Sequence, residues 1–314
     1  MISDALRALF LGAFGSWYAF GSGTLVRATP LILTGLAVAI AFRAGVFNIG
    51  AEGQFLVGAA AATAVALSGS ALPAVVLVPV LLIAGTVAGA LWAWIAAALR
   101  QRFHVLEVIS TIMLNFVAVY LVSYLVRGPL QEPTHVYPQT APIAAAAQLP
   151  RFGTTTRLHA GFGIAVVACL AAWWVMRATA AGFRLRAVGA NPNAAQSAGQ
   201  IDVGRETLLA FLVSGAFAGL AGAIEVSGVT YALYENISPG YGYTAIAVAL
   251  LARLDPGAVI GTGILFGALE AGATAMQRDA GVPSVIVSVV EALIVLVLVG
   301  VERARFARFR TAPE

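Results

Sequence analysis

Apolar runs of about 15 to 25 residues recur along this chain, each long enough for a helix to cross hydrocarbon and lacking the two-residue alternation of a barrel strand. They leave few folds open, because 60% of the 314 residues are hydrophobic and only 10% are charged. Too little polar side chain remains to coat a water-soluble globule of that size. The pattern predicts an all-α integral membrane protein, a polytopic helical bundle of about nine membrane segments with broken helices.

The breaks carry the functional signal. VFNIGAEGQFLVG at 46–58 sets Asn48, Glu52 and Gln54 among Gly50 and Gly53, between two apolar runs. A carboxylate at membrane depth costs about 3 kcal/mol, and unwound backbone there needs partners from protein or from a water-lined cavity. The reading is a discontinuous helix beside a solute route; the alternative is a short loop at the membrane face with Glu52 in water. A second break follows, where the apolar run 244–254 is half a membrane long and LDPG at 254–257 separates it from a new span at 258–275. Between the two, the span 103–126 carries Glu107, Thr111 and Asn115 at i, i+4 and i+8, a polar stripe that must face protein or water. For each of these residues, polar glue between helices is the competing role.

Residues 1–22 read as an interfacial segment in which Asp4 caps a short helix whose Leu6, Phe10, Phe14 and Trp17 share a face. A membrane domain is expected over 23–302, its first span lying between Arg27 and Arg43 with Pro30 near the start. Gly85 with Gly89, and Gly215 with Gly219 beside Ser214, Ala218 and Gly222, give small-residue faces for helix contact. Five prolines (129, 133, 138, 142 and 150) make 127–158 an ordered loop. In the polar stretch 177–205, Asn191 is a natural N-cap, Pro192 a first-turn residue and Gly199 a stop, so a short helix sits on a loop. The last span is 282–301, with Glu291 inside it, and 303–314 is a basic tail. Arg100, Arg102, Arg177, Arg184, Arg186 and the tail arginines fall on one side, which is cytoplasmic by charge; 127–158 is then extracytoplasmic.

All 18 basic residues are arginine, so a Walker A lysine is excluded and ATP hydrolysis would belong to another chain. Cys169 stands alone in an apolar run, and His104, His135 and His159 have no ligand spacing. No GxSxG or HExxH is present. No cofactor, metal or catalytic residue is expected in this chain, and a net charge of +4 on a membrane protein does not point to nucleic acid.

AFRAGVFNIGAEGQFLVGA at 41–59, EVISTIMLNF at 107–116 and FRLRAVGANPNAAQSAGQI at 183–201 together resemble the branched-chain-type permease subunits of bacterial ABC importers, most of all those for nucleosides and simple sugars. The resemblance implies that Gly189, Asn191, Pro192, Ala194, Ala195 and Gly199 belong to a cytoplasmic coupling helix that docks on an ATPase subunit carrying the Mg-ATP. It places Asn48, Glu52, Gln54, Glu107, Thr111 and Asn115 near the translocation pathway. It also implies a second homologous permease chain or a second copy, an extracytoplasmic substrate-binding lipoprotein, and the bacterial cytoplasmic membrane as the site. An ion-coupled carrier using Glu52, Glu225 and Glu291 is the alternative.

Overall fold

The computed structural model describes residues 2–287 except 154, together with 289, 290, 292, 293, 296 and 297. The span expected at 282–301 is therefore described only in part, and Glu291 and the tail 303–314 lie outside the described residues. Among the described residues there is no β-strand. Among the described residues seven helices are long and apolar enough to cross a membrane and an eighth is a shorter apolar one, broadly consistent with the about nine segments expected.

The bundle is built around α2 (Val26–Arg43), whose residues from Ala28 to Ala41 are all buried. It has no polar face because it has no free face: α9 (Val203–Glu225), α10 (Tyr241–Leu251), α11 (Ala258–Ala280) and α6 (Ala160–Ala178) surround it. Its two buried threonines satisfy themselves locally, Thr29 donating to the Leu25 carbonyl and Thr34 to that of Pro30. A π-helical stretch, Ala19–Leu25, runs directly into α2, so the span starts at Ala19 and Pro30 is an interior residue, not the first-turn residue its spacing suggests.

α3 (Ala51–Ser68), α4 (Ala74–Phe103) and α9 cross where glycines let backbones touch. A Cβ at Gly58 would lie 2.4 Å from Gly219 Cα, and one at Gly89 would lie 2.3 Å from the Gly215 carbonyl oxygen. Lipid tails are as apolar as leucine, so close packing of this kind, not hydrophobic exclusion, holds membrane helices together. The small-residue faces read from the sequence are the ones used.

Polar contacts fix which helix ends share a side. The Gln101 side chain donates to the Gly204 carbonyl at 2.8 Å, Arg43 reaches the Arg253 carbonyl at 3.3 Å, and Arg177 pairs with Asp255 at 2.8 Å. Arg43, Arg100, Arg102, Arg177, Arg205 and Arg253 thus cluster at one end. At the other end the loop after α5 (Glu107–Arg127) is tied to the loop after α9, with Thr140 N–H donating to the Leu233 carbonyl and Leu149 N–H to that of Ser227.

Two segments differ from their sequence reading. α1 (Ile2–Phe14) packs on α11 through Ala8, Leu9 and Gly12, while Leu6, Phe10, Phe14 and Trp17 remain exposed as the expected apolar face. The stretch 177–205 is a helix pair, α7 (Ala180–Ala190) and α8 (Pro192–Gly199), not one helix on a loop. Asn191 caps α8 as expected, accepting from Ala194 N–H at 3.0 Å. The left-handed residue that ends it is Gln200, at φ 49°, and Gly199 is the last helical residue.

Candidate functional site

Two helices begin inside the bundle instead of at its ends. α2 stops at Arg43, the chain continues unwound through 44–50, and α3 starts only at Ala51. Glu52, in the first turn of α3, accepts from the Gly242 N–H at 2.7 Å, in the first turn of α10. The Tyr241 carbonyl next to it faces the Thr34 hydroxyl at 3.5 Å, halfway along α2. The first break found in the sequence and the start of α10 therefore open at mid-depth and onto each other, whereas the second break, LDPG at 254–257, lies at the arginine end, where Asp255 pairs with Arg177. A Cβ on residue 242 would sit 2.2 Å from Glu52 N, so only glycine lets the two starts meet.

The unwound backbone is held by the polar residues around it. Asn48 Oδ1 accepts from Gly50 N–H at 2.9 Å, and its Nδ2 donates to Ser214 Oγ at 2.9 Å and to Gln54 Oε1 at 3.1 Å. Asn115 Oδ1 accepts from Gly53 N–H and its Nδ2 donates to the Ile49 carbonyl, both at 2.9 Å. Thr111, buried beside Gly50, donates to the Glu107 carbonyl. Glu107 stands at the arginine end, 3.1 Å from Arg100 and accepting from Phe47 N–H at 3.4 Å. Of the six residues named for the pathway, Asn48, Gln54, Glu107 and Asn115 hold the break, Thr111 bonds within its own helix, and Glu52 lines a cavity.

Asn115→Leu follows from that geometry. It strands the buried Gly53 N–H and Ile49 carbonyl, each worth about 1–3 kcal/mol when left without a partner. The expected result is a clearly lower unfolding temperature with uptake per folded molecule retained; unchanged stability with lost uptake would put Asn115 in the solute route.

The cavity holds about 220 Å³. Glu52 and Leu56 form one wall, Val119, Tyr120 and Ser123 of α5 another, and Glu235, Asn236 and Ser238 of the loop before α10 a third. Ser238 Oγ also accepts from the Gly240 and Tyr241 N–H groups, both at 3.1 Å, at the start of α10. At the mouth away from the arginine-rich end, Arg127 grips Glu235 with two bonds of 2.7 and 2.8 Å, and the Ser123 hydroxyl donates to the same carboxylate. Those bonds, Arg127 first and Ser123 second, hold the Glu235 pKa down to about 2. A depressed carboxylate contributes stability that is complete above its unfolded pKa, about 4.3 for glutamate, and is lost as pH falls through the folded value. The latch is therefore closed throughout pH 5 to 8, and Glu235 should add no pH step to transport in that range. A step there that vanishes in Glu235→Gln would contradict this assignment.

Glu235, Ser123, Arg127 and Ser238 were not singled out in the sequence. The available signal was a glutamate inside TYALYENISPGYGY, directly ahead of a half-length helix. Glu225 belongs elsewhere: it is buried at the end of α9, near Glu270, Arg27 and Arg157.

The α7–α8 pair touches the break from the arginine-rich end. A Cβ at Gly189 would lie 2.1 Å from the Arg43 carbonyl oxygen, and Gly45, at φ +72°, packs against Gly189. On α8, Pro192, Asn193, Ala194, Gln196 and Ser197 face outward, whereas Ala195 is buried against Val188 and Ile201. Ala195 therefore anchors the helix from within and is absent from its outer face.

Among the described residues no group of three or more His, Cys, Asp or Glu side chains could hold a metal ion. Cys169 is buried, and His159 caps α6 by accepting from Gly161 N–H. Burial, with Arg151 and Arg157 adding to it, pushes the His159 pKa down to about 4, so the imidazole is neutral at physiological pH.

The chain is 43% identical to the glucose ABC transporter permease protein TsgB13 of Haloferax volcanii, over 98% of this chain and 82% of the relative. It is 40% identical to the guanosine ABC transporter permease protein NupP of Bacillus subtilis, over 97% and 88%, and 34% identical to the nucleoside ABC transporter permease protein NupB of Lactococcus lactis, over 91% and 80%. No solved structure matches it. The family model described as the permease component of branched-chain amino acid transport systems matches residues 21–301. The resemblance carried by the three motifs is thus borne out, and the chain belongs to this family of multi-pass cell-membrane permeases.

Proposed function

We propose that this chain is the permease subunit of an ATP-driven importer that moves nucleosides, with simple sugars as the second choice. The relatives' names supply the solute class, since two of the three carry guanosine or nucleoside and one carries glucose. The observation that carries the reading is the Glu52 cavity. Its two carboxyl groups, hydroxyls and amide offer donors and acceptors to a neutral polyol. At about 220 Å³ it is smaller than an ordinary ligand pocket of about 300–1,000 Å³, so one chain supplies part of a site.

A second permease chain, identical or homologous, supplies the rest. A carboxylate-lined cavity cannot face lipid, and beside it α5 exposes Met113, Phe116, Tyr120 and Tyr124. In this reading an extracytoplasmic binding lipoprotein delivers solute to the latch side. An ATPase subunit holding Mg-ATP docks on α8, and its closure is passed through Gly189 to the unwound segment, changing how the two half-depth helix starts meet. Asn191, Pro192, Ala194 and Gly199 shape that docking helix, with Ala195 fixing it from inside. The chain itself performs no bond chemistry and binds lipid but no nucleic acid.

The test is nucleoside uptake into vesicles carrying the assembled importer. Uptake should require ATP on the ATPase side and should be absent when this chain alone is given a proton or sodium gradient. Gradient-driven uptake by the chain alone would favour the ion-coupled carrier.

A further inference from the structure

On the side of the bundle away from the Glu52 cavity, α6, α7 and α9 leave a slot of about 310 Å³. Ile40 closes its floor, and Ala172, Val175, Leu209, Val213 and Phe217 line it. Nearly every lining atom is apolar; the exception is the ion pair of Arg184 with Glu206, 2.8 Å apart, at the arginine-rich end. Val175, Leu209 and Val213 are exposed, so the slot opens sideways at membrane depth. Water does not occupy an apolar cavity without two or more polar partners, and an empty one forfeits the dispersion contacts of its walls. Hydrocarbon satisfies the slot and is the solvent on that side.

The mouth carries matching charge. Arg184 keeps 44% of its side chain exposed after pairing with Glu206, and Arg186, two residues further along α7, donates to the Met176 carbonyl. We propose that the slot holds an acyl chain of a cytoplasmic-leaflet phospholipid and that these arginines select an anionic headgroup. The site sits against α7, which leads into α8, so the bound lipid fixes how the coupling pair leans on α9.

The test uses the full chain, purified, stripped of lipid in detergent, and offered phosphatidylglycerol or phosphatidylcholine with the same acyl chains while native mass spectrometry counts bound lipid. One retained lipid is expected, with the anionic headgroup favoured about tenfold, because phosphatidylcholine's own choline cation cancels the charge the arginines read. Ala172→Phe fills the slot from its wall and should lower retention of either lipid about tenfold. Val213→Trp, from the exposed rim, provides the same readout should Ala172→Phe fail to fold. Equal retention by the wild type and a folded slot-filled variant would overturn the site, and equal retention of both headgroups would overturn the role of the arginines. Loss of the lipid when a second permease chain binds would show a protein interface there and overturn the proposal as well.

Discussion

Replacing Gly219 by leucine is expected to leave almost no folded protein in the membrane. A Cβ there would lie 2.3 Å from the Gly85 carbonyl oxygen and 2.8 Å from Gly89 Cα, so the obstruction is backbone and no side chain can rotate away. Gly58 and Gly215 close the same crossing from α3 and α9, and the three helices would have to separate together. Overpacking in a rigid core costs about 1–3 kcal/mol or more per site, and membrane helices have little but packing to draw on. The measurement is the fraction of protein that elutes as a monodisperse folded species, with Gly219→Ala giving an intermediate loss. A leucine variant that folds normally would mean that α4 and α9 are farther apart than described here.

Gly189→Val should fold and yet transport poorly. The valine would press on the Arg43 carbonyl oxygen, 2.1 Å from the Cβ position, and on the Ala44 carbonyl carbon at 2.9 Å, where α2 ends and the unwound segment begins. α7 and α8 are outlying elements, so the strain is relieved by tilting the pair away from α2 without opening the core. If this joint links the ATPase to the Glu52 cavity, solute-stimulated ATPase activity should fall about tenfold or more, which needs only about 1.4 kcal/mol of lost coupling. Normal stimulation in a folded Gly189→Val importer would remove the joint from the coupling route. Gly199 and Ala195, the positions the sequence pointed to, are less direct probes. The left-handed residue is Gln200, and a charge at Ala195 would disrupt α8 from inside.

Much of this was legible because membrane folding is dictated by patterns of one or two residue types. Apolar runs set the spans, prolines set the loop, and Asn191-Pro192 set the start of α8. The two breaks were legible as breaks because a glycine-rich polar stretch has no other use in lipid. That the first break meets the start of α10 was not legible: the Glu52–Gly242 bond joins residues 190 apart, and neither spacing nor periodicity encodes such a contact. The same limit hid the division of labour among the polar residues. Asn48 and Asn115 are suited equally to binding a solute and to capping unwound backbone, and only their partners show that they do the second. Glu235 was missed because an isolated glutamate in an aromatic loop has an ordinary solvated meaning until Arg127, 108 positions earlier, is placed beside it.

The central claim is that solute passes the cavity where α3 and α10 begin, and thiol labelling tests it most directly. Val119→Cys puts a small reactive group on the cavity wall, and Cys169, the one native cysteine, is buried. In vesicles of known orientation carrying the assembled importer, a membrane-impermeant thiol reagent added from outside should reach residue 119. Guanosine, presented with the importer's own binding protein, should slow that labelling. Labelling that is indifferent to nucleosides, or that occurs only from the cytoplasmic side, would contradict the account.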